Sequence, residues 1–179
     1  MELKRGNFLI FLISILFLIN PITENLYENN AVAFMASHYA LFASGFWFGT
    51  KRMRIQSIPW IILGSIIVVA SHVPFVFDLT SRFEFWRIVV EILLALSGFL
   101  MGSSLRLGSK LSYSLFGGWM AGDTSLSAAF MLGDKAYVYP LSTYPDWQIK
   151  DAGIFMFLFM NIVAFFIIMK VLIKVFESE

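Results

Sequence analysis

No cysteine occurs anywhere in the chain. Disulfides, thiolate metal sites, thiol nucleophiles and thioether-linked haem are thereby excluded, so a metal would need histidine, methionine or carboxylate ligands. Charge is scarce as well. Asp, Glu, Lys and Arg make up 14% of the 179 residues, against ~25% in soluble domains, while 59% are hydrophobic and the mean hydropathy is +0.78. A soluble domain does not fit that balance. The net charge of +1 contains no long basic run, and the aromatic residues lie inside apolar stretches, so nucleic acid is excluded as a partner. Neither a glycine-rich phosphate loop, an HExxH pair nor a serine elbow is present, and no enzymatic activity is expected.

What is present is apolar length. Six hydrophobic stretches, at about 7–25, 31–49, 59–77, 86–105, 112–133 and 152–174, each approach the ~20 residues that cross ~30 Å of hydrocarbon. They predict an all-α polytopic membrane protein, one bundle of about six transmembrane helices forming a single domain over 1–179, with the lipid bilayer as its solvent. Pro59 suits a helix start, where its missing N–H is harmless. Lys4 and Arg5 precede the first stretch, but Asn20-Pro21 follows it without a small-x-small cleavage pattern, which reads as a retained helix.

Loop charge sets the expected orientation. Lys4, Arg5, Lys51, Arg52, Arg54, Arg106, Lys110, Lys170 and Lys174 fall on one side, and only Arg82, Arg87, Lys135 and Lys150 on the other. Both termini are therefore expected inside a cell membrane, with Glu24 and Glu28 among the outer-loop charges. Tyr137, Tyr139, Tyr144 and Trp147 of the outer 134–151 loop read as an interfacial aromatic belt. Two halves of three helices, with ALFASG (40–45) echoing AAFMLG (128–133), hint at an inverted repeat, a transporter trait.

Ionisable groups within apolar stretches are costly and usually face a partner in the bundle. Here they are His38, His72, Glu91 and Asp123, with Asn161 in the last helix. His38, His72 and Glu91 share one level, roughly 7–11 Å inside the outer ends of their helices at 1.5 Å per residue. Glu91 shares a stripe with Ala95, Gly98 and Gly102, small residues that let helices approach, and Gly98 to Gly102 is a GxxxG face. Met35 stands one turn before His38.

A metal set of His38, His72, Glu91, Asp123 and Met35 follows, with His and Met favouring copper and His with carboxylate favouring iron or zinc. Axial haem ligation by the two histidines is a weaker alternative. The same residues could instead form interhelical hydrogen bonds that fix packing in a structural subunit of a larger membrane complex, or a proton relay in a small proton-coupled transporter.

The segment SHVPFVFD (71–78) followed by EILLALSGFL (91–100) resembles the His-x-Pro, Tyr-Asp and Glu-His pattern of the CtaG family, membrane factors for cytochrome c oxidase assembly. AGIFMF (152–157) is similar to that family's Ala-Gly-x-x-Met segment, and MASHYAL (35–41) to its early Met and His helix. Ile92 stands where the family has histidine, and QIKD (148–151) replaces its Asp-Gln-Gln. The resemblance carries over His38, His72, Pro74, Asp78, Glu91, Gly153 and Met156. It implies an accessory or assembly protein of a respiratory haem–copper oxidase, with copper as cargo and respiratory-chain membrane subunits as partners.

Overall fold

The computed structural model describes residues 5–52, 57–106, 109–134 and 143–177, and every regular element among them is helical. In chain order these are α1 Arg5–Leu18, α2 Pro21–Asn29, α3 Ala31–Arg52, α4 Ile58–Ser71, α5 Pro74–Arg82, α6 Glu84–Ser104, α7 Lys110–Leu132 and α8 Asp146–Phe176. Among the described residues, α3, α6 and α8 are long and apolar enough to cross a membrane, or up to five spans if each of the bent pairs α1–α2 and α4–α5 is one. α7 falls outside that set because serines, glycines and Asp123 dilute its apolar residues.

Two of the six expected helices are broken, and proline is the cause in both. A proline ring cannot continue the preceding helix but starts the next one well. Asn20 caps α2, accepting from the Ile22 and Thr23 amides while Thr23 Oγ1 accepts from the Asn20 amide, and the chain bends by 51° there. Pro74 opens α5 after a 67° bend. His72 therefore stands at the C-cap of α4 instead of inside a helix.

The two broken pairs belong to a larger regularity. The segment from α1 to α3 contains helices of 14, 9 and 22 residues, and that from α4 to α6 helices of 14, 9 and 21. Every helix of the second starts 53 residues after its counterpart: Arg5 and Ile58, Pro21 and Pro74, Ala31 and Glu84. At that shift SGFWFGT (44–50) lies on SGFLMGS (97–103). The chain thus contains a tandem repeat in one orientation, and the inverted repeat hinted at by 40–45 and 128–133 gives way to it.

The matching glycines form the central seam. A Cβ at Gly45 would collide with the Ala95 carbonyl and lie 3.0 Å from the Phe99 nitrogen. A Cβ at Gly98 would collide with the Phe42 carbonyl and lie 2.9 Å from the Phe46 nitrogen. Ala95 and Phe99 are the repeat counterparts of Phe42 and Phe46, so each contact is returned by its equivalent, as across a two-fold axis. Gly49 and Gly102 continue the seam one turn on, against Phe99 and Phe46. Small residues on both faces bring the α3 and α6 backbones together, and packing at that distance replaces a hydrophobic driving force that lipid cannot supply.

Outside the repeat, α7 and α8 pack on each other and α8 also packs on α3. Gly153 admits the Ser127 carbonyl and Phe130, and Ser127 Oγ donates to the Gly153 carbonyl at 2.7 Å. Gln148 accepts from the Ala31 amide and donates to the Asn29 carbonyl, 3.1 Å each, clamping the α2–α3 junction. Tyr144 is buried and donates its hydroxyl to the Tyr27 carbonyl; burial pushes that hydroxyl above its usual pKa. Trp147 is exposed, whereas Tyr137 and Tyr139 of the expected belt lie outside the described residues.

Candidate functional site

His38 projects from the first half of α3 and is 4% exposed, yet neither ring nitrogen has a hydrogen-bond partner. A desolvated polar group without a partner costs ~1–3 kcal/mol, so the position calls for a reason. The ring packs edge-on against Phe34, 4.4 Å between centroids, and against His72, 5.7 Å apart at 86°. His72 Nδ1 lies 2.7 Å from the Val68 carbonyl and 3.1 Å from Ser71 Oγ. The carbonyl accepts a proton held on Nδ1, which leaves the lone pair on Nε2, the arrangement by which proteins orient a metal-binding imidazole. Met35, 2% exposed, is part of the apolar cluster with Tyr27, Phe34 and Phe77.

Glu91 is fully buried but belongs to a second group. Ser37 Oγ donates to its Oε1 at 3.3 Å, and its neighbours are the buried Glu24 and Arg87. Arg87 Nε lies 3.5 Å from Glu24 Oε2, and Nη1 donates to the Glu24 carbonyl at 3.4 Å. The guanidinium thus holds both the side chain and the backbone of Glu24, and the second Glu91 oxygen lacks a hydrogen bond. Glu24 and Arg87, expected among the loop charges, are core residues.

The repeat relates these two groups. Glu91 is the counterpart of His38, Arg87 of Phe34 and Glu24 of Phe77, each 53 residues apart. Phe34 meets Phe77 at 6.2 Å between centroids where Arg87 meets Glu24. Equivalent positions have diverged into an imidazole set among aromatics on one side and an ionic set on the other.

Asp123, on α7, joins neither group; its Oδ2 accepts a 2.6 Å bond from the Tyr39 hydroxyl. Asn161 donates to the Phe157 carbonyl of its own helix. Among the described residues, no three His, Asp or Glu side chains lie together as a metal-binding group. Of the five expected ligands, His38 and His72 meet ring to ring, Met35 stays within a turn of His38, and Glu91 and Asp123 are engaged elsewhere.

A cavity of about 1580 Å³ opens between α4 and α7, with α3 as its floor. His38, His72 and Met35 line it, as do Tyr39, Asp123 and Trp119. Tyr39 stacks on Phe159, 4.6 Å between centroids, and lies 6.2 Å from Trp119. Tyr39 and Trp119 escaped notice in the sequence because aromatic residues in an apolar helix carry no positional signal. Glu24 and Arg87 did carry one, since aligning the chain on itself at 53 residues places them opposite Phe77 and Phe34.

A protein-family model, described as a protein of unknown function (DUF1404), matches residues 8–174. No curated protein and no solved structure matches the chain.

Proposed function

The chain belongs to the DUF1404 family, whose function is unknown, and from that premise we propose a membrane-embedded accessory or assembly protein of a respiratory haem–copper oxidase that handles copper at His38 and His72. The observation that carries the proposal is the imidazole pair, 5.7 Å between ring centroids, in which the buried His38 has no hydrogen-bond partner and the half-buried His72 is oriented by the Val68 carbonyl. Two neutral imidazoles suit copper(I), and the thioether of Met35 is a soft third donor one turn from His38. Glu91 and Asp123 drop out of the ligand set proposed from the sequence. The resemblance of 71–78, 91–100 and 152–157 to the CtaG factors supports copper as cargo and oxidase subunits as partners. Three of the residues that carry it also have packing roles: Pro74 starts α5, Gly153 admits α7 and Met156 is core.

The reading includes six crossings of the cell membrane with both termini inside. α7, at 23 residues, is ~35 Å long and sufficient for a sixth crossing.

Purified protein supplied with copper(I) should retain about one copper per chain, and His38→Ala or His72→Ala should lose it while the bundle stays folded. A wild type that is metal-free under those conditions, with both variants destabilised, would make the histidines packing residues only.

A further inference from the structure

The α4–α7 cavity is larger than the ~300–1,000 Å³ of common small-molecule pockets. Its walls are apolar over most of their extent, with polar groups confined to a few positions. The Asp123 carboxylate, held by the Tyr39 hydroxyl, stands among the rings of Tyr39, Trp119, Phe42 and Phe159. His38, more than nine-tenths buried, adds two nitrogens without partners. Flat aromatic faces beside hydrogen-bonding groups match a planar ring bearing oxygens. The rest of the cavity matches an apolar tail.

The cavity is also kept open on the α7 side. A Cβ at Gly118 or Gly122 would meet nothing within 4 Å, and both residues line the space. Glycine in a helix interior costs ~0.5–1 kcal/mol relative to alanine, and neither position shows a close backbone approach that would explain it. Two glycines there widen the cavity. A phospholipid fits less well, because its phosphate would meet Asp123 while Lys170 is the only Lys or Arg among the described lining residues.

We propose that this cavity binds a lipid-soluble molecule with a planar, oxygen-bearing ring head and a long apolar tail, of the quinone class, its head beside Trp119 and the Tyr39–Asp123 pair. The site shares His38 with the copper reading but does not depend on it.

The test uses the full chain in detergent, with decylubiquinone as probe and quenching of tryptophan fluorescence as readout. Saturable binding near one per chain is expected. Gly118→Leu and Gly122→Leu should weaken it at least tenfold by filling the cavity, with melting temperature not lowered. Gly117→Leu is the control, since that position is equally open but does not line the cavity. Decylubiquinol, whose hydroxyl donates to the Asp123 carboxylate, should bind as well, and Asp123→Asn should weaken its binding about tenfold. Unaltered binding in both filling variants, complete displacement by a phospholipid, or a co-purifying protein that blocks the probe would each overturn the proposal. Copper content measured on the same variants separates the two readings: filling the cavity at Gly122 should leave copper in place, and quinone binding without copper would sink the copper reading alone.

Discussion

At the scale of single residues the charged core group makes the sharpest demand. Arg87 is 1% exposed and is the counter-charge for the buried Glu24. Removing one partner of a buried ion pair typically costs ~3–5 kcal/mol because the other charge is left uncompensated. Arg87→Met should therefore lower stability by about that amount in thermal unfolding in detergent. Adding Glu24→Leu to it should recover part of the loss, since two apolar side chains of similar volume replace a loose pair. A double variant no more stable than the single would show that Glu24 and Arg87 are not coupled. His38, His72, Glu91 and Asp123 were legible in the sequence because an ionisable group in an apolar run has few innocent explanations. Which of them meet was not legible. Depth along a helix is nearly one-dimensional, whereas contact depends on helix rotation.

Among the helices, the α3–α6 seam has the clearest cost attached. Gly45→Ala and Gly98→Ala each place a methyl group against a backbone carbonyl that cannot move aside like a side chain. Each should destabilise the protein by about 1–3 kcal/mol, and by similar amounts, because the two contacts are repeat equivalents. Gly117→Leu, into open space, should cost nothing. Unfolding of the three variants side by side checks this; tolerance of Gly98→Ala would mean that the helices sit farther apart. The Gly98–Gly102 face could be read from its spacing, and so could Gly45–Gly49 once the repeat is seen. Helix extents were approachable from hydropathy alone. Hydropathy averages across a bend, however, and Asn20-Pro21 and His72-Val73-Pro74 sit inside or at the edge of apolar runs that look continuous.

For the whole molecule, the tandem repeat gives the expected topology an argument beyond loop charge. Each repeat contains one bent pair and one long helix, and the seam contacts advance together along both helices, Gly45 meeting Ala95 and Phe99 and Gly49 meeting Phe99 and Ser103, so α3 and α6 run in the same direction. Parallel α3 and α6 require that α4–α5 carry the chain back across the membrane. If α4–α5 instead entered and left on one side, the starts of α3 and α6 would lie on opposite faces of the bilayer. Because the chain has no cysteine, a single introduced thiol is its own reporter. Ser57→Cys and Gly108→Cys precede α4 and α7, and both should be inaccessible to an impermeant thiol reagent in intact cells. Ser142→Cys, ahead of α8, should be labelled from outside. Labelling of 108 but not 57 would make the α4–α5 pair re-entrant; labelling of 57 and 108 but not 142 would invert the protein and put the His38–His72 end on the inner side, where a role in supplying an outer copper centre no longer follows.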